Sequence, residues 1–137
     1  MAEPFPRQRV SSGSPWELVV GYSRAVRVDG RIWVAGTSPN WPDGEVNPDV
    51  EAQTRRCFEI IATALAEAGA TLADVVRSRI YLVDAADFTT VRDVHGELLG
   101  EARPACTAVV VAGLLDPRWR VEIEVDAVLP PERVREP

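Results

Sequence analysis

The stretch RVEIEVDAVL near the end of the chain constrains the fold more than any other feature. Apolar and acidic side chains alternate along it, with Val121, Ile123, Val125 and Ala127 set against Glu122, Glu124 and Asp126. A period of two predicts a β-strand with one apolar face and one acidic face. We therefore expect a sheet that buries one face and leaves the other without a layer of helices.

A β-hairpin is predicted early in the chain. In SRAVRVDGRIWVAG, two apolar runs flank Asp29-Gly30, a strong signal for a two-residue turn. Two further strands are predicted from VVRSRIYLV, residues 75–83, and ACTAVVVAGLL, residues 105–115. Because the second of these runs is apolar throughout, we expect it to be a buried strand.

Two helices are predicted between these strands. For the first, Asn47 is the expected N-cap, Pro48 suits the first helical position and Gly69 ends the helix. Its apolar face consists of Thr54, Phe58, Ile61, Leu65 and Ala68. The second helix is expected to begin at Asp84 and end at Gly100. Its apolar face holds Phe88, Val91, His95 and Leu98, which makes His95 a core or interface residue by this pattern.

The predicted order is β-β-α-β-α-β-β, an α+β fold with a single mixed sheet. Each β-α-β unit should cross over right-handed and pair its strands in parallel, which places both helices on one face of the sheet. The other face then needs a partner, and we infer a homo-oligomer with clefts between subunits. The predicted boundaries are a flexible arm at 1–15, a domain at 16–129 and a tail at 130–137.

Composition excludes several kinds of chemistry. All 15 basic residues are arginine, so neither a lysine Schiff base nor a P-loop lysine is possible. A single histidine, His95, rules out a multi-histidine metal site within one chain, and Cys57 and Cys106 lack metal-ligand spacing. We therefore expect no metal site, no ordinary pyridoxal phosphate enzyme and no P-loop. A net charge of −6 argues against nucleic acid as a partner.

The location of the protein is expected to be the cytoplasm. The segment MAEPFPRQRV lacks the apolar core of a signal peptide, and no apolar run approaches the length of a membrane span. We expect no membrane partner either.

Five segments, taken in order, resemble the Rid (YjgF) superfamily of reactive intermediate deaminases. They are GYSRAVRVDGRIWVAGTSP, Gln53, AGATLADVVRSRIYLVDAADF, RPACTAVVVAGLLDP and VEIEVDA, and the match runs from about Trp16 to Leu129. The resemblance implies a homotrimer of chorismate-mutase-like subunits with clefts between them. It also implies cofactor-independent hydrolysis of enamines or imines, such as 2-aminoacrylate and related imino acids, to keto acids and ammonia.

One position departs from the family pattern. Deaminating members resemble PARS where this chain has PACT, and their arginine holds the substrate carboxylate. Cys106 takes the place of that arginine, while Thr107 keeps the following hydroxyl. An arginine binds a carboxylate through a bidentate pair of hydrogen bonds, which a thiol cannot form. The chain is therefore expected to belong to a branch with altered substrate choice. Cys106 as a small apolar filler is the competing interpretation.

The resemblance also nominates site residues. Glu122, the first glutamate of EIE, corresponds to the residue that positions or activates water, and Tyr22 to a cleft tyrosine. Arg92 stands where many members carry a cleft asparagine, and with Arg103 it is a candidate replacement anchor for a substrate. Trp33 and Trp119 are candidates for lining the cleft. Each of these residues also has an interpretation without function. The glutamate would be a solvated acid, the tyrosine an aromatic at a strand edge, the arginines exposed side chains and the tryptophans interface residues.

Three functions follow from these residues. The first is a small-molecule enzyme acting on an imine, enamine or related reactive intermediate, with Glu122, Thr107 and Cys106 as candidate catalytic residues. The second is a trimeric module that binds or senses a small ligand without catalysis, which the missing arginine would favour. The third is a ribonuclease, an activity attributed to some relatives, against which the acidic charge and the absence of lysine argue.

Overall fold

A computed structural model describes residues 6–134. Its strands are β1 (Gln8–Val10), β2 (Ala25–Val28), β3 (Arg31–Thr37), β4 (Val75–Leu82), β5 (Ala105–Val110) and β6 (Val121–Val128). Its helices are α1 (Trp16–Val20), α2 (Val50–Glu67), α3 (Phe88–Leu99) and α4 (Pro131–Val134), with short 3-10 turns at Leu72–Asp74 and Ala85–Asp87. The strands form one six-stranded mixed sheet in the order β1-β2-β3-β6-β4-β5. The predicted α+β class with a single mixed sheet is confirmed.

The hairpin and the last strand set the layout of the sheet. β2 and β3 pair antiparallel around Asp29, whose φ of 51° is the left-handed conformation that this turn requires. β6 lies between β3 and β4 and runs antiparallel to both, whereas β4 and β5 are parallel. The prediction that each helical crossover joins paired parallel strands is therefore right for β4 and β5 and wrong for β3 and β4. The chain's last strand occupies the place between β3 and β4.

Helix α2 buries the face that its sequence predicts. All five residues of that face, Thr54, Phe58, Ile61, Leu65 and Ala68, are buried. The predicted N-cap is wrong by two residues, because the Asp49 carboxylate accepts the Ala52 N–H at 3.0 Å. Asn47 instead accepts the Asp49 N–H at 2.9 Å in the turn before the helix. Gly69 follows the helix with a φ of 90°, as a glycine at this position is expected to.

Helix α3 begins later than predicted. Asp84 caps the 3-10 turn by accepting the Ala86 N–H, and the α-helix starts at Phe88. His95 is half-buried between α2 and β4, with Nε2 at 2.8 Å from the Ser78 hydroxyl and its ring edge-on to Phe58. This position agrees with the predicted apolar helix face.

The core lies between the sheet and helices α2 and α3. α2 packs on β6 and β3 and against α3. The apolar residues of β6 are fully buried on this side, whereas the acidic residues face the other side. On that open side the side chains of Trp33, Val109 and Val128 are 43%, 42% and 45% exposed. One face of the sheet is thus uncovered within the single chain, as predicted.

Three segments differ from expectation. β5 is exposed at all six positions rather than buried, because it is an edge strand that pairs only with β4. Within the predicted flexible arm, Gln8–Val10 form β1 and pair with β2. Within the predicted tail, Pro131–Val134 form α4, where Arg133 pairs with Asp74. Residues 1–5 and 135–137 of these two segments lie outside the described residues, and the three domain boundaries stay predictions.

Candidate active site

The carboxylate of Glu122 lies at the end of β3. Its Oε1 accepts a hydrogen bond from the Ser38 hydroxyl at 3.0 Å. Its Oε2 faces the backbone of Gly36, where a Cβ atom would come within 2.8 Å of that oxygen. Ser38 therefore fixes one carboxylate oxygen, while the lack of a side chain at Gly36 leaves room for the other.

The two other acids of β6 are engaged differently. The Glu124 and Asp126 carboxylates lie 3.7 Å and 3.6 Å from Arg79 Nη1. Glu124 also accepts the Tyr81 hydroxyl, and this hydrogen bond raises the pKa of Tyr81. Glu122 forms no ion pair within residues 6–134. Among the three acids of β6, Glu122 is thus the one whose carboxylate is held by a hydroxyl and not by an arginine ion pair in this part of the chain.

Arg24 stabilises the end of β3, beside which the Glu122 carboxylate lies. Its Nη2 donates to the carbonyl of Ala35 at 2.6 Å and to that of Gly36 at 2.7 Å. Burial lowers the pKa of Arg24, although an arginine remains protonated at neutral pH. Both of these hydrogen bonds use Nη2, and no carboxylate in the described part of the chain forms an ion pair with this guanidinium. The charges of Glu17 and Glu122 act on it from a greater distance, so Arg24 is a fixed, partly buried cation with acidic neighbours.

A cavity of about 830 Å³ opens beside these residues. It lies between the segment 10–16, the loop 38–44 and the side of α2, and Tyr22, Arg24 and Ser38 are part of its wall. Trp41 and Trp119 add aromatic surface. Two donors, Arg24 Nε and Trp119 Nε1, are buried without an acceptor among residues 6–134. Such groups are uncommon in folded proteins and cost free energy when they stay unpaired.

The structure brings some of the predicted residues together. Tyr22 and Trp119 share the cavity, and Ser38 connects the cavity to Glu122. We call Tyr22, Arg24, Gly36, Ser38 and Glu122 the Glu122 group. Trp33 lies apart from this cavity, on the open face of the sheet in register with Asp126.

The remaining candidates form a second set on and near β5, which we call the β5 group: Arg92, Arg103, Cys106 and Thr107. Cys106 is exposed and in register with Ser78, and the Thr107 hydroxyl accepts from Arg77 Nη1 at 3.4 Å. Arg92 is exposed and pairs with its neighbour Asp93 at 3.1 Å. Arg103 sits in the turn after α3 with a φ of 47°. None of the β5 group lines the cavity.

Sequence reasoning missed Arg24, Gly36 and Ser38. Ser38 lies in TSPNWPDGEV, whose proline, asparagine, aspartate and glycine content indicates a loop but no particular function, although loops that follow strands commonly carry functional residues. Arg24 gives no local signal, because an arginine beside a strand is ordinarily exposed. Its role depends on two carbonyl groups eleven and twelve residues away.

The described residues provide neither a cluster of metal ligands nor a membrane-spanning helix. No group of three or more histidine, cysteine, aspartate or glutamate side chains in residues 6–134 is arranged to hold a metal ion. No helix in the same part of the chain has the length and apolar character needed to cross a membrane. The cytoplasmic location stays a prediction.

Comparison with protein families gives a match over most of the chain. A family model described as "Endoribonuclease L-PSP" matches residues 15–129. A RutC family protein of Pyrococcus abyssi is 44% identical over 109 residues, which cover 78% of this chain and 84% of the relative. The 3-aminoacrylate deaminase RutC of Acinetobacter baylyi is 36% identical over 104 residues, covering 74% of this chain and 82% of the relative.

Solved structures give the same match. A member of the YjgF/YER057c/UK114 family from Mycobacterium tuberculosis is 46% identical, with a TM-score of 0.84 over 90% of this chain and all of that chain. A member of the YjgF protein family from Neisseria meningitidis is 29% identical, with a TM-score of 0.77 over 93% of this chain and 98% of that chain.

Proposed function

The chain belongs to the YjgF/Rid family, the family described as endoribonuclease L-PSP, and from that premise we propose that it hydrolyses imines or enamines of small molecules. The observation that supports this most is the Glu122 carboxylate, which Ser38 holds against Gly36 and which forms no ion pair among residues 6–134. A relative named as a 3-aminoacrylate deaminase supports the same class of reaction. The family thus includes an enzyme of this class.

The proposed reaction needs one group that takes and returns a proton. Glu122 accepts a proton from water as the water oxygen adds to the imine carbon, and it passes this proton to the nitrogen, which gives a neutral carbinolamine. Glu122 then accepts the proton of the carbinolamine hydroxyl and passes it to the amine nitrogen, so that the C–N bond breaks, the carbonyl forms and ammonia leaves. The balance is R₂C=NH + H₂O → R₂C=O + NH₃, and an enamine enters the same sequence after protonation at carbon. Ser38 keeps the carboxylate in place during both transfers.

The β5 group enters the proposal through a second copy of the chain. Glu122 and Cys106 lie on β6 and β5, with β4 between them, and the β5 group does not line the cavity. We place Cys106 and Thr107 of one subunit opposite the Glu122 group of the next, in clefts of a homotrimer. Cys106 in place of an arginine would then change which substrates bind. Arg92, Arg103, Trp33 and Trp119 stay candidate substrate contacts in those clefts.

Ribonuclease activity is a second candidate, because the matching family model carries that description. The net charge of −6 opposes it, since ribonucleic acid binding needs a basic surface. A trimer that binds or senses a small ligand without turnover is the third. The experiment below separates both from the leading proposal.

The test compares wild type with Glu122→Gln and Glu124→Gln, using imino acids made in situ by an amino-acid oxidase. We expect wild type to release ammonia faster than the uncatalysed background. Glu122→Gln should lower kcat/KM by ~10²–10⁴-fold, the usual contribution of a general acid or base. Glu124→Gln removes the neighbouring acid of the same strand and should keep most of the activity.

Two results would contradict the proposal. Equal activity in wild type and Glu122→Gln would show that Glu122 is a solvated strand residue. Binding of imino acids by wild type without any acceleration would support a sensing module instead. Thermal melting of all three proteins checks that the glutamine variants remain folded.

A further inference from the structure

The cavity beside the Glu122 group has walls suited to a particular class of ligand. Three of the chain's four tryptophans, Trp16, Trp41 and Trp119, line it together with Tyr22. Apolar residues of α2, including Ile60 and Ala64, form the opposite wall. A volume of about 830 Å³ is within the range of small-molecule sites, which are typically lined by aromatic surface with a few placed polar groups. These walls favour a flat, apolar ligand body.

The charges on the cavity wall favour an anion. Among the described residues that line it, the charged side chains are Arg24, Arg56 and Glu67. Arg56 is occupied, because it donates to the Asn40 carbonyl at 2.5 Å and to Glu59 at 3.2 Å. Arg24 donates only through Nη2 and forms no ion pair in residues 6–134, which leaves Nη1 without a described acceptor. Arg24 is therefore the cation of this wall whose hydrogen-bond donors are available to an anionic ligand.

Hydrogen bonds to the backbone also hold the Arg24 guanidinium in a fixed position before a ligand binds. Two carbonyl groups hold Nη2, so the guanidinium does not need to be ordered when a ligand arrives. The Nε of Arg24 and the Nε1 of Trp119 are two donors with no acceptor among residues 6–134. A carboxylate offers acceptors to an arginine in the geometry that suits it best.

We propose that this cavity binds an organic carboxylate with a flat apolar body, and that Arg24 is the residue that holds its carboxylate. The proposal rests on the proposed function only in identifying this ligand with the imine substrate. If the ligand is the imine substrate, its carboxylate binds at Arg24 instead of at position 106. Arg92 and Arg103, the anchors considered from the sequence, are exposed and lie away from the cavity.

The experiment uses phenylacetate as the probe and phenylacetamide, its neutral analogue, as the matched ligand. Calorimetric titration is carried out on wild type, Arg24→Gln and Arg31→Gln. We expect wild type to bind the acid about 10–100-fold more tightly than the amide, the range for a charge-assisted hydrogen bond. Arg24→Gln should abolish this preference, whereas Arg31→Gln removes an exposed arginine at the other end of the hairpin and should keep it.

Arg24→Gln removes two hydrogen bonds to the backbone and so could fail to fold. A second variant therefore tests the proposal without changing Arg24. Trp41→Ala shortens an aromatic wall in a loop without altering Arg24. It should weaken the acid and the amide by the same factor and so retain the preference for the acid. Equal affinity of wild type for acid and amide, or no binding of phenylacetate at millimolar concentration, would overturn the proposal. So would an unchanged preference in folded Arg24→Gln.

Binding and turnover are read separately. Phenylacetate has no imine and is not hydrolysed, so its affinity reports on the cavity alone. If Arg24→Gln keeps the preference for the acid while Glu122→Gln lowers kcat/KM as expected, the proposed function stands and Arg24 is not the anchor. Carboxylate binding through Arg24 with no imine hydrolysis would leave this inference standing without the proposed function.

Discussion

Gly36 controls how closely the Glu122 carboxylate approaches the backbone of β3. A methyl group at this position would come within 2.8 Å of Oε2, so Gly36→Ala must displace the carboxylate. Because that oxygen is the end of a flexible side chain, we expect little change in thermal stability. A displaced general base loses its alignment, and kcat/KM for imine hydrolysis should fall ~10²-fold.

Gly113→Ala is the matched control for this prediction. Gly113 has open space where a Cβ would lie, so its replacement should change neither stability nor activity. Normal activity in Gly36→Ala would show that the position of Oε2 against Gly36 is unimportant for catalysis.

At the scale of single residues, the sequence predicted some of the candidate site and missed the rest for a physical reason. Glu122 was identifiable because the alternation of β6 places it on the acidic face and the family resemblance assigns it a role. Arg24 was not identifiable, because its importance comes from carbonyl groups on another strand and from a cavity wall formed by distant segments. Local sequence patterns do not show which distant segments will be in contact.

At the scale of elements, one buried glutamine joins α2 to the segments on either side of the site. Gln53 Nε2 donates to the carbonyls of Asn47 at 2.8 Å and Arg118 at 3.0 Å, and its Oε1 accepts the Arg120 N–H at 2.7 Å. Gln53 is fully buried. Gln53→Met keeps similar bulk but leaves these backbone groups without partners, at about 1–3 kcal/mol for each group.

We therefore expect Gln53→Met to lower the free energy of unfolding by at least about 2 kcal/mol, measured by urea denaturation at fixed protein concentration. Gln8→Met is the control, since Gln8 makes a single exposed hydrogen bond to the Glu67 carbonyl. Its effect should stay within about 1 kcal/mol. Equal effects of the two changes would mean that water replaces the lost partners of Gln53.

The junction of α3 with β4 should make stability depend on pH. Burial lowers the pKa of His95 from the usual 6.5. The unfolded chain then binds more protons than the folded chain between these two values, so the free energy of unfolding falls as pH decreases below about 6.5. The contribution of His95 is complete above that pH and is lost as the pH drops through the folded-state pKa.

Urea denaturation at a series of pH values between about 7 and about 5 measures this slope, because carboxylates titrate mainly at lower pH. His95 is the single histidine of the sequence, so His95→Gln should flatten the curve in that interval. A slope that persists in His95→Gln would assign the pH dependence to another group.

The elements themselves were largely predictable where they depend on local sequence. The Asp29-Gly30 hairpin, the buried face of α2 and the alternation of β6 all follow from neighbouring residues. The position of β6 between β3 and β4 does not, because it is decided by pairing between segments far apart in the chain. The apolar composition of β5 is typical of a buried strand, but this strand is at the edge of the sheet and exposed in the single chain.

At the scale of the whole molecule, we expect a partner surface to cover both the open face of the sheet and the exposed β5 edge. Trp33, Val109 and Val128 would be costly to leave in water. In the proposed homotrimer, further copies of the chain would cover them, and the β5 group of one subunit would lie beside another subunit. We expect light scattering in dilute buffer to give about three times the chain mass of 15.0 kDa.

A stable monomer would contradict this assignment, and with it the proposed clefts between subunits. The Glu122 group and the cavity are formed within one chain, so the phenylacetate titration would remain interpretable in that case.

The cavity wall contributed by residues 11–16 has a consequence for how such a protein can diverge. None of these six residues is buried, whereas Glu122 extends from a strand whose apolar side chains form the centre of the core. Substitutions in this segment can therefore reshape what is recognised while the folding of the sheet and the proton-transfer group stay intact. Related chains could acquire new ligand preferences through this segment one mutation at a time, without passing through unstable intermediates.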